Sequence, residues 1–254
     1  MKDPDIKSRQ DKVLEHIVNA YIELGVPIGS LTICNRANLN LSPATIRNIM
    51  GELEDLGLIT QPHTSAGRVP TDLGYRYYLD KIMRPEVMVD DEKEKICSVC
   101  DSNRDEPDFL LEEMSRLLSD ISNEASMAVL PKSKRNMPKD MKLVSFGWHH
   151  LFGQPEFKDA LAPSRVLRVF EEKTELLDFV EENVGSQGVK IFVGKEHACS
   201  DISDCSVVIS SYGFDNDVTG AIGVIGPKRM PYKRVVPVVD YIVGRINAVL
   251  KNAD

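Results

Sequence analysis

Ser42-Pro43-Ala44-Thr45-Ile46-Arg47-Asn48-Ile49-Met50 runs on to Leu53-Glu54-Asp55-Leu56-Gly57-Leu58-Ile59 and then to Pro62-His63-Thr64-Ser65-Ala66-Gly67-Arg68-Val69-Pro70. Ser42 has the short hydroxyl side chain of a helix N-cap, and Pro43 suits the first helical position, where a missing N–H costs nothing. Ile46, Ile49, Met50 and Leu53 recur at helical spacing, so one face packs inward. At 3.6 residues per turn, Ala44, Arg47, Asn48 and Gly51 turn outward, with Thr45 and Glu52 on the flank. That outward face is small, polar and singly basic near its N-terminus, which suits a helix entering a DNA major groove. Gly57 ends the helix. Two short apolar runs, Leu58-Ile59-Thr60 and Arg68-Val69, bracket a turn-rich tip from Gln61 to Gly67 and predict a hairpin. Taken alone, the stretch also fits a helix and hairpin with no nucleic-acid role.

The preceding residues favour DNA. Ser8 to Leu24 carries Val13, Leu14, Ile17, Val18, Tyr21 and Ile22 as an amphipathic stripe. Gly25-Val26-Pro27 closes that helix, and Ser30 is expected to cap a short second helix holding Leu31, Ile33 and Cys34. Asn38 to Leu41 is the turn into the third helix. Three helices followed by a hairpin predict a winged helix-turn-helix domain over residues 1–84. After the wing, Thr71 opens a further helix that runs to about Met83, whose tyrosines read as packing residues rather than base-stacking ones.

Charge and cysteine content narrow the class. The net charge is −8. Up to Arg84, ten Lys and Arg balance ten Asp and Glu, so the whole negative excess falls beyond that point. Placement therefore matters more than the sum: Glu54 and Asp55 lie at the far end of the third helix, while Arg47, Arg68 and Arg76 fall where DNA contact is expected. Five cysteines at irregular spacing favour a reducing cytoplasm. No apolar run is long enough to cross a bilayer, and Met1-Lys2-Asp3-Pro4-Asp5 is not a signal peptide. Cys97-Ser98-Val99-Cys100 raises zinc, with His197, Cys199 and Cys205 as distant ligands, but one pair without a second well-spaced pair reads as unliganded thiols. No metal or cofactor is expected.

Residues 85–106 read as a linker made of a helix plus turn: Pro85, a charged run from Asp90 to Lys95 that forms a solvated face, then the loop Asp101–Asp105. From Pro107 onward helices and strands mix. Helices are predicted over Phe109–Ser122, Ser164–Asn183 and Tyr232–Leu250. Strands are predicted over Met127–Leu130, Lys142–Phe146, Val189–Val193, Ser206–Ser210 and Ala221–Ile225. Lys132 to Lys139 is a basic, proline-containing loop. The pattern is a mixed α/β layered domain over residues 107–254.

Several blocks carry a family resemblance: Gly29-Ser30, Ser42 to Asn48, Pro62 to Thr71, Gly74-Tyr75-Arg76 and Asp80. They continue with Gln154-Pro155-Glu156-Phe157, Cys205 to Val208, and Gly223 to Met230 followed by Tyr232. In that order they resemble the HrcA heat-inducible transcription repressors, over most of the chain. The resemblance implies a winged helix followed by a GAF-like regulatory domain, an inverted-repeat CIRCE-type operator upstream of chaperone genes, the GroE chaperonin as partner, and a homodimer. The family usually carries further strands and an inserted dimerisation subdomain between the positions matching Leu130 and Lys142. About a dozen residues bridge them here, so the GAF-like domain is expected in trimmed form.

The expected DNA contacts are Ser42, Ala44, Thr45, Arg47 and Asn48 on the helix, with His63, Thr64, Ser65 and Arg68 on the wing and Arg76 behind it. Lys228, Arg229 and Tyr232 are candidates for an effector or a partner's acidic surface. His149, His150, Glu156, Asp159 and Cys199 form no nucleophile–base–orienter pattern, and no phosphate-cradling Gly-rich loop is present, so no enzyme is predicted. Two rivals stay open: a ligand-sensing winged-helix regulator with a metabolite in the GAF-like domain, and a winged helix that binds protein rather than DNA.

Overall fold

Helix α1 (Pro4–Leu24) turns Val13, Leu14, Ile17 and Val18 fully inward, as their spacing requires. The computed structural model to which it belongs describes residues 4–36, 39–64, 66–131, 141–159, 161–172, 174–183, 188–197, 199–214 and 217–251. The chain divides into two units, Met1–Arg84 and Pro85–Asp254.

In the first unit Gly25, at φ 64°, ends α1 by donating its N–H to the Tyr21 carbonyl at 2.9 Å. Helix α2 (Ser30–Arg36) begins at Ser30 itself. The cap is one residue earlier than expected: the Gly29 carbonyl takes the Ile33 N–H at 3.3 Å. Within α2, Ile33 is buried while Leu31 is largely exposed. Asn40 turns the chain toward the third helix at φ 52°, a left-handed conformation that Asn tolerates better than most residues. Helix α3 (Pro43–Asp55) buries Ile46, Ile49, Met50 and Leu53, the four positions its spacing assigns to the core. Strands β1 (Ile59–Thr60) and β2 (Val69–Pro70) pair antiparallel as the wing. Helix α4 (Asp72–Tyr77) follows and widens into a π-type turn from Tyr78 to Ile82. Its tyrosines pack: Tyr75 and Tyr78 are buried, the Tyr78 hydroxyl donates to Asn19 Oδ1 at 2.9 Å, and that of Tyr77 donates to Asp11 Oδ1 at 2.9 Å.

The second unit opens with helix α5 (Asp90–Ser102) and helix α6 (Pro107–Ser122). Helix α5 occupies the stretch expected to be a linker helix plus turn. It packs against α6 because Ile96 and Cys100, spaced four apart, form a fully buried stripe, while most of the charged run before them faces solvent. Strands β3 (Ala125–Pro131), β4 (Met141–Phe146), β5 (Val189–Val193), β6 (Cys205–Phe214) and β7 (Asp217–Pro227) form one antiparallel sheet in the order β4-β3-β7-β6-β5. Strands β6 and β7 extend well past the apolar runs that announced them, pairing as far as Phe214 opposite Asp217.

Between β4 and β5 the chain crosses one sheet face through α7 (Trp148–Phe152), α8 (Leu161–Glu172) and α9 (Thr174–Asn183). The long helix expected from Ser164 to Asn183 is thus two helices on either side of position 173. Successive strand residues point to opposite faces. Ala125, Met127 and Val129 join Val166, Phe170 and Phe179 in one core. On the other face α6 and α10 (Tyr232–Lys251) cover a buried serine layer, where Ser115 and Ser126 hydroxyls meet at 3.0 Å and the Tyr232 and Ser206 hydroxyls lie 2.7 Å apart. This mixed layered architecture is the fold class expected. The basic stretch Lys132–Lys139 lies outside the described residues. No helix among the described residues is long and apolar enough to cross a membrane.

Candidate nucleic-acid interface

Local rules set helix α3 in place before any tertiary contact acts on it. Ser42, at φ −70° and ψ 154°, caps it by accepting the Thr45 N–H on its hydroxyl at 3.1 Å, and the two hydroxyls lie 3.0 Å apart. The far end closes through two crossed bonds, Gly57 N–H to the Glu54 carbonyl at 2.8 Å and Leu58 N–H to the Leu53 carbonyl at 3.0 Å. Closure of that form needs a left-handed residue after the cap, and Gly57 supplies it at φ 71°. With the apolar face buried, Ser42, Ala44, Thr45, Arg47 and Asn48 all lie exposed. Arg47 and Asn48 have no hydrogen-bond or ion-pair partner among the described residues.

The wing is short, and three features hold it. Ile28 pairs with Arg68 as an isolated antiparallel bridge, with N–H to carbonyl distances of 2.9 and 2.8 Å, which adds a third backbone strand to the hairpin. At Gly67 the approach to Ile28 is so close that a Cβ would sit 2.4 Å from the Ile28 carbonyl carbon, so only glycine fits. Gln61 spans the tip, donating from Nε2 to the carbonyls of Thr64 at 2.8 Å and Ala66 at 2.9 Å. The hairpin pattern announces neither Ile28 nor Glu54 as a support. The one available signal was the polar Gln61 at the foot of the turn.

Two arginines expected to face DNA have carboxylate partners. Arg68 holds Glu54 Oε2 from Nε at 3.0 Å and from Nη2 at 2.9 Å, and its side chain is 21% exposed. The pair ties the wing's second strand to the last turns of α3. Arg76 pairs with Asp80 at 3.2 Å along its own helix. His63 and Thr64 are exposed on the wing, and Ser65 lies outside the described residues. Between α3, the start of α2 and the wing lies an open cleft of 410 Å³, lined among others by Ser30, Arg47, Gln61, Thr64 and Arg68. A cleft with two guanidinium groups and several neutral donors in its walls is chemically suited to a phosphate-bearing strand.

Two of the three effector candidates in the second unit, Arg229 and Tyr232, are built into the fold. Arg229 donates to Gln154 Oε1 at 2.8 Å and to Glu156 Oε2 at 3.1 Å, with only 13% of its side chain exposed. Tyr232 is fully buried, and its hydroxyl donates to the Lys228 carbonyl at 2.8 Å and lies 2.7 Å from the Ser206 hydroxyl oxygen. Gln154-Pro155-Glu156-Phe157 and the Gly223–Met230 block, distant in the chain, are therefore two halves of one clasp. An effector surface at Arg229 and Tyr232 would require that clasp to open. Beside it lies Glu124, buried, its Oε2 without a hydrogen-bond partner among the described residues. Burial pushes its carboxyl up to about 8, with Arg229 opposing the rise and Glu156 adding to it. Elsewhere the His149 and His150 rings lie 4.0 Å apart, with burial and His149 lowering the His150 pKa. Among the described residues no group of three or more His, Cys, Asp and Glu is placed to hold a metal.

Comparison with known proteins bears on both units. Residues 5–81 match the family described as "Winged helix-turn-helix transcription repressor, HrcA DNA-binding", and residues 136–236 match "HrcA protein C terminal domain". The "Heat-inducible transcription repressor HrcA" of Geobacter sulfurreducens is 27% identical over 339 aligned positions, taking in 97% of this chain and 99% of that protein. The protein of the same name from Ruminiclostridium cellulolyticum is 28% identical over 95% of this chain and 97% of its own length. An alignment of 339 positions that includes 97% of 254 residues leaves about 90 positions of the relative with nothing opposite them. A hypothetical protein with a crystal structure at 2.2 Å resolution shares the fold, with a TM-score of 0.74, 20% identity and coverage of 97% of this chain and 98% of that one.

Proposed function

This chain belongs to the HrcA family of heat-inducible transcription repressors, and we propose that it silences its target genes by occupying an inverted-repeat operator through helix α3. It is a negative regulator of heat-shock transcription with DNA as its partner, not an enzyme. One observation carries the mode of reading: the exposed face of a capped helix presents Arg47 and Asn48, without partners among the described residues, beside a paired wing hairpin. In a major groove, Arg47 reads the N7 and O6 of a guanine and Asn48 the N6 and N7 of an adenine. Ala44 leaves room for close approach, Ser42 and Thr45 hold phosphate at the helix N-terminus, and His63, Thr64 and Ser65 set the wing on the backbone or minor groove. Arg68 and Arg76 flank this contact, each reaching phosphate only by sharing its carboxylate partner.

Two copies bind as a homodimer on a CIRCE-type palindrome, since two-fold symmetry in the protein mirrors that in the operator. The dimer forms without the inserted subdomain of longer relatives. GroE chaperonin maintains the active population. When heat-damaged proteins compete for chaperonin, a marginally stable repressor loses its folded fraction and the operon opens.

Fluorescence anisotropy on a labelled inverted-repeat duplex from a chaperone promoter tests the reading, with a scrambled duplex as control. Arg47→Ala lowers operator affinity by about 1–3 kcal/mol and narrows the gap to the scrambled duplex. Equal affinity of the unmutated protein for both duplexes would overturn specific repression. Sedimentation on the same duplex checks the dimer, and a monomer bound to one half-site at every concentration would refute it.

A further inference from the structure

The second unit holds a pair of thiols that repression does not use. Cys97 and Cys100 stand one turn apart near the C-terminal end of α5. Cys97 is partly exposed and Cys100 is buried beneath it. Helix α10 brings two groups to them. The Tyr241 hydroxyl lies 3.4 Å from Cys97 Sγ, and the Arg245 guanidinium lies close enough that its charge bears on both sulfurs. Arg245 Nε is buried and, among the described residues, has no hydrogen-bond acceptor. A thiol is a poor acceptor for that donor, whereas a thiolate is a good, charge-assisted one. Burial raises the Cys100 pKa and Arg245 opposes the rise, so the site resists ionisation at rest yet is built to receive the anion.

The other cysteines lack this arrangement. Cys199 and Cys205 are buried, and burial with the Asp204 charge pushes Cys205 up to about 12. Cys34 is partly exposed but has no second thiol beside it on α2; its Sγ lies 3.6 Å from the Leu41 carbonyl.

We propose that Cys97 and Cys100 form a peroxide-responsive dithiol, with Cys97 as the attacking thiol, Cys100 as the resolving thiol and Arg245 as the residue that holds the resolving thiolate. Cys97 loses its proton to solvent and attacks one oxygen of hydrogen peroxide. The S–O bond forms, the O–O bond breaks, and the departing hydroxide takes a proton and leaves as water. Cys100 then gives up its proton and attacks the Cys97 sulfenic sulfur. The S–S bond forms, the S–O bond breaks, and the second hydroxide is protonated to water. Two thiols have lost two electrons and two protons, and one peroxide has become two waters.

The geometry asks for a small movement. Side chains three apart on a helix have Cβ atoms about 5–6 Å apart, and a disulfide needs about 3.5–4.5 Å. Helix α5 ends at Ser102, two residues past Cys100. From beyond the helix, that last turn is held by local contacts: the Asn103 side chain donates to the Val99 carbonyl at 2.8 Å, and Arg104 pairs with Asp101 at 3.3 Å.

The test uses the full chain, reduced, freed of reductant, exposed to stoichiometric hydrogen peroxide, then alkylated in denaturant and weighed intact. The expected result is the loss of two alkylable thiols, read as an intact mass lower by two alkyl groups than that of the unoxidised alkylated chain, a linked Cys97–Cys100 peptide, and reversal by dithiothreitol. Cys97→Ser, at a partly exposed site, folds normally and keeps all its remaining thiols alkylable. Cys100→Ser stops at a sulfenic acid on Cys97 that dimedone traps, and Arg245→Gln slows closure of the bond several-fold. All five thiols still alkylable after peroxide would overturn the proposal. So would Cys97 oxidised to sulfinic acid with no linked peptide, or closure at the unmutated rate in Arg245→Gln.

Discussion

Replacing Glu124 by glutamine tests how the clasp around Arg229 is balanced. The carboxyl is 3% exposed, and its pKa is pushed from an ordinary 4.5 to about 8, mainly by burial. A raised pKa means the folded state holds a proton that the unfolded state releases between those two values. Glu124 therefore contributes its full stability below about pH 4.5 and loses it progressively as pH rises toward 8. Each unit of pH inside that window costs about 1.4 kcal/mol, so moving from about pH 5.5 to about pH 7.5 removes about 3 kcal/mol from this group alone. At about 2–4 °C per kcal/mol for a unit of this size, the melting temperature should fall by about 6–12 °C over that interval. The substituted amide is neutral throughout and keeps the shape, so Glu124→Gln should flatten the profile while stabilising the protein by about 3 kcal/mol at about pH 7. Urea unfolding in small pH steps, on the unmutated chain and on Glu124→Gln, gives both curves. If the two run parallel across that interval, Glu124 is ionised in the folded state and the desolvation reasoning is wrong.

Three further substitutions probe the first unit. Gly67→Ala drives a methyl into the Ile28 backbone, 2.4 Å away at the built Cβ position. It should cost about 2 kcal/mol or more in urea unfolding and weaken operator binding with it, since the Ile28–Arg68 bridge cannot close. Ser42→Ala removes the hydroxyl that takes the Thr45 N–H; an α3 cap is worth about 0.5–2 kcal/mol, read from the shift in denaturation midpoint at constant slope. Glu54→Gln frees Arg68 while forfeiting a partly exposed ion pair worth about 0.2–1 kcal/mol. If the released guanidinium reaches a phosphate, the plot of log affinity against log salt steepens by about 0.9; an unchanged slope shows that Arg68 serves the protein alone.

The local pieces of the recognition element were legible in the chain because their causes are local. Ser42 before Pro43, apolar residues at Ile46, Ile49, Met50 and Leu53, and Gly57 after the last turn each act within a few residues of themselves. Exposure of Arg47 and Asn48 follows from them by helical geometry. The strands of the second unit were visible for the same reason, though only over their apolar centres: beyond Ser210 the pairing of β6 with β7 continues through residues that carry no alternating signal.

What the sequence could not disclose depends on which residues meet across long stretches of chain. Arg68 reads from the sequence as a wing cation for DNA, whereas in the fold Glu54, 14 positions away, sits on its guanidinium. Arg229 looked available until the fold brought Glu156, 73 positions away, against it. Glu124 and the α5 thiols drew no notice, or little, as letters. A carboxyl's pKa is set by the water it loses, and a thiol's neighbours are set by the helix that packs over it. By itself the sequence determined the caps of α3, the helix faces, the wing and the family. The tertiary structure alone decided which charges are spent within the protein, because desolvation and ion pairing arise from neighbours in space rather than neighbours in the chain.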